Sequence, residues 1–307
     1  MTKFSVVIPA LNAEKTLTQT LRGVQVQTCR DWEAIVVDDG STDGTVALAR
    51  RFARADHRIR VVPNPGKGPS AARNFGAIDC ASGTYVAFCD ADDVWAPGKL
   101  TSVAQRFAEG EVEAVFGQIG FFQNQPHKIR TRSTVPEGEI SIRMLLGENP
   151  VCTLSNLTVA RAVFEATGGF DADLLHNEDL DWQIRLIGQG YRLCGVNHLH
   201  VCYRTSGSGL SSDLTAMIAA RDRALLTAQS FGVTVRPAEE ALHYRYLARR
   251  ALRLNLAPRI AWDMTRRGLS RDARSFLCPP RRGAATALGA LLAQVLPAAV
   301  RRSLFSH

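Results

Sequence analysis

The 307-residue chain has little lysine, no paired cysteines and no long apolar opening. Five Lys stand against 32 Arg, a bias of the whole chain rather than a set of individually placed guanidinium contacts, so the basic charge makes no case for base-specific nucleic-acid readout. The seven cysteines (29, 80, 89, 152, 194, 202, 278) are odd in number and contain no Cys-x-x-Cys. Most of them lie in apolar runs, and buried thiols of a reducing compartment are expected. The run from Met1 to Pro9 is too short for a signal peptide or a membrane span and reads as a strand. No Gly-x-Gly-x-x-Gly follows that strand and no Gly-x-x-x-x-Gly-Lys-Ser/Thr occurs, which counts against a dinucleotide enzyme or a P-loop ATPase.

What the chain does have is unevenly placed. Residues 1–220 carry 21 basic and 24 acidic side chains, a net of −3, whereas residues 221–307 carry 16 Arg, no Lys and 5 acids, a net of +11. A chain this long buries a large core, as one big domain or one domain with an appendage. The division expected is 1–213 for the main domain and 214–307 for a basic helical region, whose charge favours an anionic surface.

The apolar run Tyr85-Val86-Ala87-Phe88-Cys89 empties into Asp90-Ala91-Asp92-Asp93, three carboxylates in four positions before Pro97 opens a helical segment. Such a turn caps a helix in the plain case. It suits a hard divalent cation such as Mg²⁺ or Mn²⁺ in the other, because oxygen ligands fit and the ion cancels the repulsion. Upstream, strands at Ser5–Pro9, from Trp32 to the two carboxylates Asp38 and Asp39, and at Ile59–Val62 alternate with helical patterns. The third strand is followed by the loop Pro63–Pro69 and a helix carrying Arg73. Continuous Val/Ile strands alternating with helices predict a mainly parallel sheet covered on both faces, with ligands beyond the carboxyl ends of the strands. Asp38, Asp39, Lys67, Arg73, Asp90 and Asp92 all fall at that edge, which suits a nucleoside diphosphate bound through a metal.

Five stretches carry a resemblance: Val6-Val7-Ile8-Pro9-Ala10-Leu11-Asn12, Val36 to Asp43, Ala71-Ala72-Arg73-Asn74, Asp90-Ala91-Asp92-Asp93 and Asn177-Glu178-Asp179. In this order they resemble the motifs of the family 2 inverting glycosyltransferases of GT-A fold, over residues 4 to 210. The resemblance implies an α/β fold of GT-A type with a mainly parallel sheet sandwiched by helices and an appended basic helical C-terminal region. It implies a nucleotide-sugar pocket with Pro9, Asn12 and Glu14 around base and ribose. Asp39 would bond the base, Arg73 would reach base or diphosphate, and Asp90 would lie toward the ribose. Asp92 would be the direct ligand of the Mg²⁺ or Mn²⁺, with Asp90 beside it. Asp179 matches the base that takes the acceptor hydroxyl's proton, and Glu178 is the second candidate. The plain reading of those two acids is a favourable helix N-terminus.

Further along, Val115–Phe122 reads as a strand and Ser141–Leu146 as a short helix. Gly168-Gly169 ends a helix through positive φ, and the helix opening at Glu178 is expected to bury Leu180, Ile184 and Ile187. His198 and His200 read as structural. Arg204 opens the Gly/Ser-rich loop that runs to Asp213, and beside a diphosphate site it would touch phosphate. The Gln-x-x-Arg-Trp of processive synthases is absent, so a single transfer is expected. The uncharged run Ala284–Val300 between arginine pairs is either an in-plane amphipathic helix at an anionic membrane or part of a bundle packed on protein, including a second subunit.

The function expected is transfer of one sugar from a nucleoside-diphosphate sugar, a UDP-sugar first, to a glycan or lipid-linked acceptor. The place is the cytoplasm or the cytoplasmic face of a membrane, with no nucleic-acid partner. Two alternatives differ in class. A sugar-phosphate nucleotidyltransferase shares the sheet but has a Gly-x-Gly-x-Arg-Leu loop that is missing here, and a silent binding relative would have no need of Asp39, Asp92 and Asp179.

Overall fold

The structure is a computed structural model that describes residues 3–123, 125–205 and 214–305. The chain forms two compact units, one of Met1–Ile140 with Pro150–Thr205, the other of Ser141–Asn149 with Ser206–His307.

In chain order the first unit contains β1 (Phe4–Ala10), α1 (Leu17–Gln25), β2 (Trp32–Asp38), α2 (Thr45–Ala55), β3 (Ile59–Pro63), α3 (Pro69–Asn74), β4 (Tyr85–Phe88), β5 (Val94–Trp95), α4 (Lys99–Ala108), β6 (Ala114–Phe122) and β7 (Thr131–Arg132). After α5 (Ile142–Gly147), which belongs to the second unit, come β8 (Thr158–Ala160), α6 (Arg161–Ala166), α7 (Glu178–Gly188) and β9 (Leu193–Arg204). The sheet order is β3-β2-β1-β4-β8-β6-β9-β5, with β7 against β6.

Strands β3, β2, β1 and β4 are all parallel, and β6 and β9 pair in parallel across a bulge. The short β8 lies antiparallel between β4 and β6, and β5 pairs antiparallel with β9. Parallel pairs carry most of the paired positions. Val6, Val7 and Ile8 of β1 and Ile35, Val36 and Val37 of β2 are fully buried, as strands covered on both faces must be. Registers of Ala10 with Asp38, Asp38 with Pro63 and Val7 with Phe88 bring the carboxyl ends of β1 to β4 to one edge. Helix α1 buries Leu17, Leu21 and Val24 at helical spacing. Beyond α3 the chain continues as a π-helical turn, Phe75–Cys80, and a Cβ on Gly76 would sit 2.4 Å from a Val7 methyl carbon. Glycine there lets this segment lie directly on β1.

Two expectations need correcting. Only Cys89, Cys194 and Cys202 are buried; Cys29 and Cys80 are half-buried, and Cys152 and Cys278 are exposed. Apolar neighbours bury a thiol only where the backbone is in a packed element, and Cys152 sits at φ 70° while Cys278 follows the end of a helix. Helix α7 buries Ile184 as expected, but Leu180 and Ile187 are only half-covered, whereas Asp181, Trp182, Gln183 and Leu186 are buried. It is enclosed on more than one side: Trp182 packs its ring on Phe164 and Phe170 and donates its Nε1–H to Thr167.

The second unit comprises α5 and the helices α8 (Leu214–Ser230), α9 (Pro237–Arg253), α10 (Pro258–Leu277), α11 (Gly283–Leu292) and α12 (Ala298–Phe305). Its core joins Leu247, Ala248 and Ala251 of α9 to Ala261 and Met264 of α10 and Ala290 of α11. The uncharged run after Arg282 is two helices rather than one, since α11 ends at Leu292 and α12 starts after Pro297. Proline cannot continue the hydrogen-bond ladder of the preceding turn. Leu288, Leu291, Val295 and Leu304 remain exposed along this stretch. Among the described residues no helix is long and apolar enough to cross a membrane.

Candidate active site

The acidic turn leaves β4 at the shared edge. Its first amide, Asp90 N–H, donates to Ser155 Oγ at 2.8 Å, and Asp93 N–H closes the turn on the Asp90 carbonyl at 3.1 Å. Arg204, at the end of β9, clamps the turn from the other side. Its backbone N–H donates to Asp93 at 3.0 Å, its Nε to the Asp92 carbonyl at 3.0 Å and its Nη2 to Gln19 at 2.6 Å, with the guanidinium 4.7 Å from the Phe122 ring centre. Burial and crowding make Asp92 and Asp93 resist ionisation. Burial, then the neighbouring Asp90, pushes the Asp92 pKa up to about 6, with Arg204 pulling the other way, and burial pushes buried Asp93 well above the usual range.

Arg73 links this turn to α7. Its side chain is buried, donating to Asp90 at 2.6 Å and to Glu178 at 3.3 Å. The other Asp90 oxygen accepts from Thr153 Oγ at 3.2 Å. At the start of α7 the acids Glu178 and Asp179 follow Asn177, which is left-handed at φ 60°. The positive end of a helix and Arg73 both favour their charged forms. Burial outweighs them: the Glu178 pKa rises to about 7, with Asp179 adding to the push, and burial raises that of Asp179 as well.

A second group lies along the ends of β1 and β2. Pro9 is half-buried in β1, and Asn12, at φ 50°, accepts Thr42 N–H at 2.9 Å. Glu14 accepts Gly44 N–H at 3.1 Å, and Asp39 accepts Gly68 N–H at 3.0 Å and the Asn64 amide at 2.6 Å. These polar side chains stitch the loops after β1, β2 and β3 into one rim. Arg73, Asp90, Glu178 and Asp179 make the second cluster, and Arg204 stands behind Asp92.

Three supporting residues carry no motif. Ser155, besides holding the Asp90 amide, accepts at its carbonyl from Trp95 Nε1 at 2.9 Å and from Lys99 Nζ at 2.6 Å. Lys99 is fully buried over the Trp95 ring, and burial drops its pKa to about 7. Nothing in Thr153-Leu154-Ser155-Asn156 distinguishes it from an ordinary polar loop in sequence. Only the β4–β8 pairing brings it under the turn.

Among the described residues no three His, Cys, Asp or Glu side chains form a metal cage. The donors present still fit a hard cation, because Mg²⁺-type sites use one or two carboxylates together with substrate phosphates, and Asp90, Asp92 and Asp93 bring three carboxylates into one turn.

Residues 5–168 match the model of the family described as Glycosyl transferase family 2. The chain belongs to that family. It is a glycosyltransferase, and its architecture is the GT-A fold. One similar relative is the UDP-Glc:alpha-D-GlcNAc-diphosphoundecaprenol beta-1,3-glucosyltransferase WfgD of Escherichia coli, 30% identical over 214 residues, which are 68% of this chain and 79% of WfgD. Among solved structures, S. aureus TarS 1-349 in complex with UDP-GlcNAc is similar at a TM-score of 0.64 and 16% identity, covering 99% of this chain and 89% of TarS 1-349. The mannosyltransferase PcManGT of Pyrobaculum calidifontis, in complex with GDP-Man and Mn2+, is similar at 0.60 and 22%, covering 99% and 88%. At those identities the structural likenesses speak for the fold of this glycosyltransferase alone.

Proposed function

We propose that this glycosyltransferase moves one sugar, with inversion at the anomeric carbon, from a nucleoside-diphosphate sugar to an acceptor hydroxyl in the building of a cell-surface glycan. The observation that carries the reading is Arg73, buried between the acidic turn at Asp90 and the first turn of α7 at Glu178. It ties the element suited to a diphosphate to the element suited to proton removal. The rim of Pro9, Asn12, Glu14 and Asp39 receives base and ribose, Asp90 lies toward the ribose, and Arg204 fixes the turn and faces phosphate. Asp92, with Asp90, would hold Mg²⁺ or Mn²⁺, which supplies charge stabilisation on the departing diphosphate without a proton.

Asp179 takes the proton of the attacking hydroxyl. Asp179 is the first candidate for that role by its place in the Asn177-Glu178-Asp179 stretch, with Glu178, ion-paired to Arg73, second, and a carboxylate whose pKa is raised by burial is a stronger base once ionised. A UDP-sugar is the donor proposed first, since both WfgD and the TarS complex have UDP-linked sugars in their names. A lipid-linked acceptor follows from the diphosphoundecaprenol in the name of WfgD, and the basic second unit would hold the enzyme at an anionic membrane face.

The test is a thermal-shift panel of UDP-, GDP-, dTDP- and CMP-sugars, each with and without Mn²⁺, followed by donor hydrolysis with the best one. A ligand that binds the folded state alone raises the melting point by mass action. Stabilisation by one nucleotide class, larger with the metal, supports the reading. No response to any donor would defeat it.

A further inference from the structure

The second unit contains a cluster that the transfer chemistry does not use. Glu148, just after α5, lies within ion-pair distance of three guanidiniums: Arg249 at 3.2 Å, Arg245 at 3.7 Å and Arg282 at 3.8 Å. Three cations share that one carboxylate, and they come from a stretch, residues 221–307, that carries 16 Arg against 5 acids. Burial pushes the Arg249 pKa down; Glu148 counters, but Arg253, Arg282 and Arg245 push it further. Beside this cluster is an open cavity of about 240 Å³ whose lining includes Arg249, Arg253, Arg281 and Arg282 together with Leu252 and Phe305. Gly289 makes that apolar wall possible: a Cβ there would meet both Leu252 and Phe305 at 3.2 Å. The neighbouring stretch leaves Leu288, Leu291 and Val295 exposed.

We infer that this cavity binds the phosphate of an anionic lipid headgroup, with the guanidiniums on the phosphate and the apolar wall and exposed leucines against the adjoining chain region. Guanidinium forks match phosphate oxygens in geometry and charge. A free phosphate would use the arginines but gain nothing from Leu252, Phe305 or the leucines. The assignment deepens the reading of the acceptor as membrane-carried. It is tested by binding alone, without donor or acceptor, so its failure leaves the transfer reaction standing, and the reverse also holds.

The experiment measures co-sedimentation of the full chain with phosphatidylcholine vesicles, with and without phosphatidylglycerol. A parallel titration follows the melting point against inorganic phosphate. The double variant R249Q/R282Q should lose about tenfold or more in affinity for the phosphatidylglycerol vesicles, as expected for two basic residues acting at an anionic surface. R266Q/R267Q removes the same charge from exposed positions of α10 and should lose less than about threefold, the smaller effect of rim charges outside a headgroup site. Glu148→Gln removes the competing anion and should bind those vesicles more tightly than the parent, which keeps the test decisive if the double variant fails to fold. Equal losses in the two double variants, with no gain from Glu148→Gln, would show a diffuse charged surface and overturn the pocket. Saturable protection by inorganic phosphate with no binding to anionic vesicles would overturn the lipid assignment.

Discussion

The first unit surrounds one buried arginine with carboxylates, and the second surrounds one carboxylate with arginines. Arg73 answers Asp90 and Glu178, whereas Glu148 answers Arg245, Arg249 and Arg282. In neither place does the central group alone match the charge of the neighbours it answers, and the ligands proposed for the two units are opposite in sign: a cation with a diphosphate in one, an anion in the other. The centres also differ in depth, with 8% of the Arg73 side chain exposed against 26% for Glu148. An unbalanced charge costs more the further it lies from water.

Depth therefore sets the largest expected effect. Arg73→Met should cost about 3–5 kcal/mol of stability in urea denaturation at pH 8, the usual loss when one partner of a buried pair is removed. The loss should shrink at pH 5, where Glu178, raised to about 7, takes up a proton. A loss below about 1 kcal/mol, or one the same at both pH values, would erase the contrast between the two centres.

Next comes the division of labour at α7. Asp179→Asn should lower turnover by about a hundredfold or more, the size of a general-base contribution, with donor affinity close to that of the parent. If Glu178→Gln has that signature and Asp179→Asn instead destroys donor binding, the two acids exchange roles.

Asp92→Asn should leave the fold intact and abolish the increment that Mn²⁺ adds to donor-induced stabilisation. An amide keeps the shape of the carboxylate without its charge. Removing one of three crowded acids should also leave the melting point of the protein without donor no lower than the parent's. A metal-dependent increment that survives in Asp92→Asn puts the cation elsewhere.

The smallest effect is on pH dependence, where activity and stability run in opposite directions. Glu178 is raised from 4.5 to about 7 and Asp92 from 3.8 to about 6, so the folded chain binds more protons than the unfolded chain between those values. Stability must fall as pH rises through that window. Metal binding at Asp92 needs its ionised form, so kcat/KM should climb as pH rises through about 6, and the raised pKa of Asp179 puts proton removal on the same rising limb. A flat kcat/KM from pH 5 to 8 would mean that these acids stay out of the rate.

How far all this was legible in the sequence depended on whether the information was local. Strands β1 and β2 are continuous apolar runs that end in polar turns, and α1 shows its buried stripe at helical spacing, so both type and position could be read. The acidic turn and the Glu178-Asp179 pair stood out as charge crowded beside apolar runs. Strand β8 is only three residues long and antiparallel, and β5 only two. Each exists because of a partner far along the chain, as do the contacts of Thr153, Ser155 and Lys99 that fix the turn. Arg73 alone read as well as a surface charge on a helix; its partners Asp90 and Glu178 lie 17 and 105 residues further along the chain. Leu180 and Ile187 misled because α7 is enclosed on several sides, so a single apolar stripe does not describe it.

The place of α5 in the chain has a consequence for synthesis. Its buried residues Ile142, Leu145 and Leu146 belong to the second unit, and Gly147 has Leu242 of α9 directly over it, yet α5 is made before β8, α7 and β9 of the first. Roughly 90 residues separate α5 from α9, which at about 5–20 residues per second is an interval on the order of 5–20 s. For most of it the nascent chain carries an apolar segment whose partners, first α8 and then α9, do not yet exist. Every strand of the first unit is therefore made while α5 still lacks α9.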